Sequence, residues 1–184
     1  MSTHLEIEYK ASLDYPTYLS YLNHFPSAQV STHQNHYFLY SNASLRLAAR
    51  IREEEQQMTL TFKVEQPVGR LEVNFSVDST DLSIFNREDI KTFLNQHQLN
   101  GTFKPIGTLT TQRHTVHEMY GDLCLDVSHY LGKTDYELEY EVTQDAPLAY
   151  QRFLEILQLE HLEPLEPPTK FARFLEQKRL TETL

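Results

Sequence analysis

Strict alternation of polar and apolar side chains is the pattern that most constrains how this 184-residue chain folds. In the opening segment, HLEIEYKA, one face carries Glu6, Glu8 and Lys10. The opposite face carries Leu5, Ile7 and Tyr9. Because successive side chains of a strand point to opposite faces, this period predicts a β-strand with one apolar face. Comparable segments predict eight or so strands, near residues 4–10, 28–40, 45–52, 57–64, 70–77, 103–110, 111–120, 122–129 and 135–143.

Helical segments lie between and after these strands. Asp14 is the expected N-cap of the first of them, and the predicted helices cover about residues 14–23, 87–98, 146–157 and 170–177. This order predicts an α+β fold around an antiparallel sheet or barrel, and periodicity alone leaves both open. No linker or change of composition interrupts the chain, so we expect a single domain over residues 1–184.

Composition limits the ligands that this chain can bind. The 26 Asp and Glu residues exceed the 16 Lys and Arg residues, which gives a formal net charge of −10. This acidity disfavours nonspecific binding to nucleic acid or to an anionic membrane. Only five glycines occur and none forms a phosphate-binding loop, so a phosphate ligand would need side-chain contacts.

Cysteine and histidine offer little metal or redox chemistry. Cys124 is the only cysteine, which excludes an intramolecular disulfide and a Cys-based zinc cluster, and no motif marks it as a nucleophile. His33 and His36 would lie on opposite faces of a strand, which disfavours a zinc site. The N-terminus resembles no signal peptide and no apolar stretch is long enough to cross a bilayer, so we expect a cytoplasmic protein.

Charge is sorted by strand in this sequence. Acidic polar faces carry Glu6, Glu8, Asp126, Glu137, Glu139 and Glu141, whereas basic ones carry Arg50, Arg52, Lys63 and Arg113. Three carboxylates in a row on one strand face repel one another and do not stabilise a fold. For any single strand, a solvated surface face is the alternative interpretation, because most charged side chains are exposed.

A barrel can enclose such faces around a polar cavity, where acids and bases of separate strands would meet. Carboxylates there would bind Mg²⁺ or Mn²⁺, which prefer oxygen ligands. Arginines would hold phosphoryl oxygens through paired hydrogen bonds. The two kinds of face together predict a site for a metal-bound polyphosphate.

The motifs, in their order, resemble those of the CYTH superfamily, also called the triphosphate tunnel metalloenzymes, and within it the YjbK-type bacterial proteins. The ExExK signature of the family corresponds to EIEYK at residues 6–10. HYFLY resembles its Y-F-[DE]-T strand, AARIREEEQQMTLTFK its L-R-I-R…T-L-K hairpin, and GRLEVNF its R-x-E strand. TTQR, LCLDVSHYLG and DYELEYEV resemble the later tunnel strands, and PPTKFARFL the closing K-x-x-R-F segment. The similarity covers residues 4–175, with two departures: Leu39 replaces an acidic residue, and Ala49 changes only packing.

The resemblance implies an eight-stranded antiparallel β-barrel with flanking helices, which hydrolyses or cyclises triphosphates with Mg²⁺ or Mn²⁺. It implies as metal ligands Glu6, Glu8, Glu72, Asp126, Glu137 and Glu139. It implies as phosphate-binding residues Lys10, Arg50, Arg52, Lys63, Arg113, Lys170 and Arg173. The implied catalytic residues are Glu6, Glu8, Lys10, Glu72 and Asp126, with Glu72 or Asp126 orienting the attacking water.

These observations predict a metal-dependent hydrolase of a small triphosphate, such as inorganic tripolyphosphate, a nucleoside triphosphate or thiamine triphosphate. No set of aromatic or hydrogen-bonding residues indicates a base-recognition pocket, which favours tripolyphosphate. A class IV adenylate cyclase and a noncatalytic sensor of triphosphate or polyphosphate are the alternatives. We expect no nucleic-acid or membrane partner, and the sequence leaves open the preferred metal and the oligomeric state.

Overall fold

The computed structural model describes residues 1–41, 47–65, 67–99 and 101–182. Within these ranges the strands are β1 (Ser2–Glu6), β2 (Glu8–Leu13), β3 (Gln29–Tyr40), β4 (Leu47–Glu54), β5 (Gln57–Glu65), β6 (Arg70–Val77), β7 (Phe103–His117), β8 (Gly121–Tyr130) and β9 (Lys133–Val142). The α-helices of the same ranges are α1 (Tyr15–His24), α2 (Glu88–Gln96), α3 (Ala146–Gln158) and α4 (Lys170–Glu182). A 3₁₀ helix at Leu82–Asn86, which the sequence did not predict, precedes α2.

Two strand predictions need correction. The first segment is not one strand, because Ile7 separates β1 from β2. Conversely, the segments predicted at 103–110 and 111–120 form the single strand β7, because two β-branched threonines, Thr110 and Thr111, continue the extended backbone across the predicted boundary. Leu45 and Arg46 of the predicted segment 45–52 lie outside the described residues.

The contacts divide the chain into two compact units. Unit 1 comprises residues 1–5 and 33–109, and unit 2 comprises residues 6–32 and 110–184. The long strands β3 and β7 each contribute residues to both units. Beside this division, a single domain over the whole chain stays a prediction.

Unit 1 is a meander with an aromatic core on one face. Its strands neighbour one another in the order β1-β6-β5-β4-β3, and β4, β5 and β6 pair as successive antiparallel hairpins. The apolar alternation of these strands buries Ile51, Leu60 and Phe75 completely. Helix α2 covers this face, since Ile90 and Phe93 belong to the same buried cluster.

Unit 2 has its own core. The order β7-β8-β9-β2 is antiparallel throughout, and Leu125 and Leu138 lie fully buried on one face of it. Helices α1 and α3 pack on this face through Tyr21 and Ile156. The Asp14 carboxylate accepts a hydrogen bond from the Thr17 backbone N–H at 2.9 Å, which confirms the predicted N-cap of α1.

The sequence analysis predicted no segment long and apolar enough to cross a bilayer, and the helices can be compared with this prediction. Across the described ranges, no helix is both long and apolar enough to span a membrane.

Candidate functional site

The strands of unit 1 present a charged face opposite their aromatic core. Across β4, β5 and β6, Arg50 is paired in register with Thr61, and Lys63 with Glu72. Each alternates along its strand with buried apolar residues, as the period predicted. We call this surface the basic face; its members are Asn35, Arg50, Arg52, Thr61, Lys63, Glu72 and Asn74.

Glu72 is the carboxylate of the basic face. Its Oε1 lies 2.6 Å from Lys63 Nζ and 3.7 Å from Arg50 Nη2, and its Oε2 lies 3.2 Å from His4 Nε2. Burial by itself would raise the pKa of Glu72, but the charges of Lys63 and Arg50 outweigh it and lower the pKa to about 2. Glu72 is therefore ionised at neutral pH.

This lowered pKa predicts an acid-sensitive contribution to folding. The Glu72 contribution should be fully present above the ordinary glutamate pKa of 4.5 and should be lost as the pH falls through about 2. Urea unfolding of the wild type and of Glu72→Gln, measured at steps between pH 2 and pH 7, gives the difference in unfolding free energy. We expect this difference to shrink across that window, and a constant difference would contradict the assignment.

The two arginines of the basic face differ in the hydrogen bonding of their Nε atoms. Arg52 Nε donates to Asn35 Oδ1 at 3.2 Å, whereas the buried Nε of Arg50 has no hydrogen-bond partner. Arg50, Arg52 and Lys63 together carry three positive charges against the one negative charge of Glu72. These four side chains therefore leave a surplus of positive charge on the basic face, which suits an anionic ligand.

Unit 2 presents a buried acidic face. Asp126 on β8 is paired in register with Glu137 on β9, and Glu139 follows two residues later on the same face. These side chains are almost inaccessible, at 0%, 1% and 5% relative exposure respectively. We call Asp126, Glu137 and Glu139 the acidic cluster.

The acidic cluster converges on one ammonium group. Lys170, the first residue of α4, places its Nζ 2.8 Å from Asp126, 2.9 Å from Glu137 and 2.6 Å from Glu139. One helical turn later, Arg173 Nη2 lies 2.8 Å from Glu137 Oε2, and Arg173 Nε donates to Asp135 at 3.0 Å. The N-terminal turn of α4 thus supplies two of the cations that neutralise the cluster.

Arg113 on β7 supplies a further cation. Its Nε and Nη2 each donate to one Asp126 carboxylate oxygen at 2.8 Å, which is the two-pronged geometry that guanidinium groups favour. The same guanidinium contacts Glu139 and the more exposed Glu141.

Proximity to these cations sets the ionisation of the cluster. Burial would raise the pKa of Glu139, but the charges of Lys170 and Arg113 hold it well below its ordinary range. The pKa of Asp126 is lowered against burial by Arg113 and Lys170. Burial would lower the pKa of Lys170, yet Asp126 and Glu139 raise it well above its ordinary value. The cluster is therefore ionic.

The ExExK segment lies on β1 and β2. Lys10 is buried, is paired in register with Glu139, and forms an ion pair with Glu8. Burial would lower the pKa of Lys10, and the charges of Glu139 and Glu8 raise it instead. Glu6 is half-buried at the end of β1, on the other side of the Ile7 break. The break separates the two glutamates that the sequence placed on one continuous strand.

A divalent cation fits the donor chemistry of the acidic cluster. Hard cations prefer carboxylate oxygens, and three carboxyl groups converge here on one positive charge. In the present arrangement those oxygens contact Lys170 and Arg113. No group of three or more His, Cys, Asp or Glu side chains in the described ranges is arranged to hold a metal ion. A cation entering the cluster would therefore compete with Lys170 for the same oxygens.

The cysteine and the two histidines that the sequence analysis disfavoured as a nucleophile and as zinc ligands lie in the following surroundings. Cys124 is buried, and burial raises the pKa of its thiol well above the ordinary value, as expected for a residue that is not a nucleophile. His33 is buried, whereas His36 lies 3.4 Å from Glu53 and within hydrogen-bond distance of Thr108. These neighbours do not bring the two histidines to a common metal site.

The two departures from the family motifs have different surroundings. Ala49 is completely buried in the core of unit 1, so its effect is on packing, as predicted. Leu39, in contrast, lies on β3 with 42% of its surface exposed, so it is not part of that core.

Sequence reasoning left three polar residues out of the predicted site, although it placed one of them, Glu141, on the acidic face. Glu141 and Asp135 bind Arg113 and Arg173, and Asn35 binds Arg52. Glu141 and Asp135 have the parity of Glu139 in β9, and Asn35 lies opposite Arg52 in register. Parity along the strand was therefore a usable signal for all three.

Solved structures share this fold. A candidate adenylate cyclase from Bacillus halodurans is similar with a TM-score of 0.81 and 30% identity, over 95% of this chain and 99% of that chain. HpAC1 from Hippeastrum, a candidate adenylyl cyclase with a dominant triphosphatase activity, is similar with a TM-score of 0.74 and 22% identity, over 94% and 96% of the two chains. The second likeness supports the fold alone. The predicted α+β antiparallel fold class is confirmed, with nine strands in the described ranges rather than eight.

Sequence comparison defines the family. The CYTH domain model matches residues 4–175. YjbK of Bacillus subtilis (strain 168), named as a candidate triphosphatase, is 31% identical over 97% of this chain and 98% of its own length. The chain therefore belongs to the CYTH domain family, which confirms the resemblance seen in its motifs.

Proposed function

We propose that this chain is a triphosphatase that uses Mg²⁺ or Mn²⁺ and takes a small triphosphate, with inorganic tripolyphosphate as the first candidate. The observation that carries the proposal is the convergence of Asp126, Glu137 and Glu139 on Lys170. Burying ionised groups costs several kcal/mol for each ion, so a cluster of this kind is a functional-site candidate on physical grounds. The triphosphatase name of YjbK supports the same activity.

In this proposal the acidic cluster is the metal-binding element. Glu6 and Glu8 are the further candidate metal ligands of unit 2, and Glu72 is the candidate metal ligand of unit 1. Asp126 and Glu139 are ionised at neutral pH, as metal ligands must be. A bound divalent cation would polarise phosphoryl oxygens and lower the pKa of a coordinated water. Lys170 would leave its present oxygens when the cation enters, and its ammonium would then be available to a phosphoryl oxygen.

The basic face is the proposed phosphate-binding element of unit 1. Arg50, Arg52 and Lys63 would share the negative charge of the phosphate chain and stabilise the charge that develops on the leaving group. Arg113, Lys170, Arg173 and Lys10 of unit 2 are the other candidate phosphate ligands. Glu72 has a pKa of about 2, so it would accept a hydrogen bond from the attacking water and orient it rather than take its proton.

A product assay tests this function. The purified protein is incubated with tripolyphosphate, ATP or thiamine triphosphate, each with Mg²⁺, Mn²⁺, Ca²⁺ or EDTA. We expect orthophosphate from tripolyphosphate with Mg²⁺ or Mn²⁺ and none with EDTA. Equal phosphate release in EDTA would contradict the metal assignment.

The same assay separates the alternatives by their products. Cyclic AMP and pyrophosphate from ATP would select a cyclase, which the name of the Bacillus halodurans structure suggests for that protein. Tight binding of a triphosphate without turnover under any of the metals would select a noncatalytic sensor.

A further inference from the structure

Asn35 on β3 is a polar residue that the predicted site does not include. Its side chain is completely buried, although amide side chains are mostly exposed in folded proteins. It stands on the basic face opposite Arg52, with which it is paired in register. A buried amide in this position needs hydrogen bonds for both its oxygen and its nitrogen.

The contact with Arg52 fixes which way the amide points. A guanidinium group only donates hydrogen bonds, so the atom that receives Arg52 Nε at 3.2 Å must be the amide oxygen. The amide nitrogen then points elsewhere. This orientation follows from the chemistry of the pair and does not depend on telling oxygen from nitrogen by position.

The amide nitrogen has no hydrogen-bond partner, and neither does the buried Nε of Arg50. Leaving a buried donor unsatisfied costs about 1–3 kcal/mol. Arg50 and Arg52 are two residues apart on β4, so Asn35 and Arg50 are diagonal neighbours on one face, with β-carbons somewhat less than about 7–8 Å apart. Two unsatisfied donors on one positively charged face call for a ligand that only accepts hydrogen bonds and carries several oxygens.

We propose that Asn35 is a further substrate-binding residue, which holds Arg52 in position through its oxygen and donates through its nitrogen to an oxygen of the bound triphosphate. The proposal rests on the proposed function, because it takes its ligand from there. Since the nitrogen is screened from solvent, a side-chain rearrangement of the basic face accompanies binding, as is common at interfaces.

Asn35→Asp separates binding from a purely structural role. The aspartate keeps an acceptor for Arg52 and removes the unsatisfied donor. A structural role therefore predicts an equally stable or more stable protein whose affinity falls no further than the added negative charge alone requires. A role in binding predicts a larger loss of affinity, because the donor itself is replaced by that negative charge. Asn74→Asp is the matched control, since it adds the same charge to the same face at a residue whose oxygen accepts from Thr61 at 2.7 Å.

The measurement is calorimetric titration of tripolyphosphate into the full-length protein with EDTA present. We expect Asn35→Asp to weaken binding about 10- to 150-fold, the range for losing a hydrogen bond to a charged group, and Asn74→Asp to weaken it several-fold less. Asn35→Ala removes the amide without adding charge and should weaken binding about tenfold. This second variant decides the matter if the aspartate variant does not fold.

Equal affinities of wild type and Asn35→Ala, or equal losses in Asn35→Asp and Asn74→Asp, would overturn the role of Asn35. A wild type that does not bind tripolyphosphate in this titration would overturn it as well. Failure of the proposed function has a different signature, because a wild type that binds tripolyphosphate but releases no phosphate with any divalent cation contradicts hydrolysis alone.

Discussion

Glu139→Gln should lower metal-dependent phosphate release from tripolyphosphate about 1,000-fold. Glu139 contacts both Lys170 and Arg113, and its carboxylate is ionised within the acidic cluster. The amide has nearly the same shape but carries no charge, so it is a poor ligand for a hard cation. A bound metal contributes several kcal/mol of transition-state stabilisation, and a loss of about 4 kcal/mol corresponds to this factor. The measurement is the initial rate of orthophosphate release with saturating Mn²⁺.

Glu141→Gln is the matched control for this prediction. It makes the same chemical change on the same strand face, at a carboxylate that is more exposed and that contacts Arg113 but not Lys170. We expect a smaller reduction of about 10- to 100-fold, the range for residues that support a metal ligand. Similar rates for Glu139→Gln and the wild type, with both proteins folded, would refute the metal assignment of the acidic cluster.

Arg113→Leu should lower the unfolding free energy by about 3–5 kcal/mol, the usual cost of removing one partner of a buried ion pair. Leucine would leave Asp126 fully buried without the two hydrogen bonds that Arg113 donates to it. Within the described residues, Lys170 would then be the one remaining ion-pair partner of Asp126. Urea unfolding at neutral pH measures the change, because a shift of the midpoint with an unchanged slope reports stability alone.

An exposed pair of the same chemistry provides the reference. Arg87 and Asp89 also form a two-pronged ion pair, but both side chains are solvent-exposed. Arg87→Leu should therefore lower the unfolding free energy by no more than about 1 kcal/mol. Equal losses in Arg113→Leu and Arg87→Leu would show that the Arg113 contacts do not have the energetics of a buried network.

The faces of the strands could be predicted from the sequence because their side-chain period is two. Once one residue of a strand is assigned to a face, alternation assigns all the others. Glu137 and Glu139 therefore fall on the face opposite to that of Leu138, and the structure has the same arrangement. Hairpin neighbours such as Lys63 and Glu72 could also be anticipated, since a short connection places them on adjacent strands. These parts of the candidate site depend on local geometry.

Contacts between distant segments could not be predicted from periodicity. Lys170 is 31 residues from Glu139 and 44 residues from Asp126, and only the packing of α4 brings it to both. The resemblance to CYTH proteins named Lys170 as a phosphate ligand, whereas the structure places its ammonium among carboxylates. The sequence pattern contains no information on which partner a long side chain selects when no ligand is bound.

Backbone interruptions were equally hard to anticipate. Ile7 fits the alternation of its neighbours in every respect, yet it separates β1 from β2 because the two strands pair with different partners, β6 and β9. Partner choice is a tertiary property that a one-strand pattern does not contain. Parity could place Asn35 on the basic face, but it could not predict the role proposed for this residue, because that role depends on one unsatisfied amide nitrogen.

The most direct test of the account is a crystal structure of the protein grown with Mn²⁺ and tripolyphosphate, with the metal located by its anomalous scattering. The account predicts manganese bound to oxygens of the acidic cluster in place of Lys170, and phosphoryl oxygens bound to Arg50 and Arg52. Manganese and tripolyphosphate bound elsewhere, with Lys170 still paired to Asp126, Glu137 and Glu139, would contradict it.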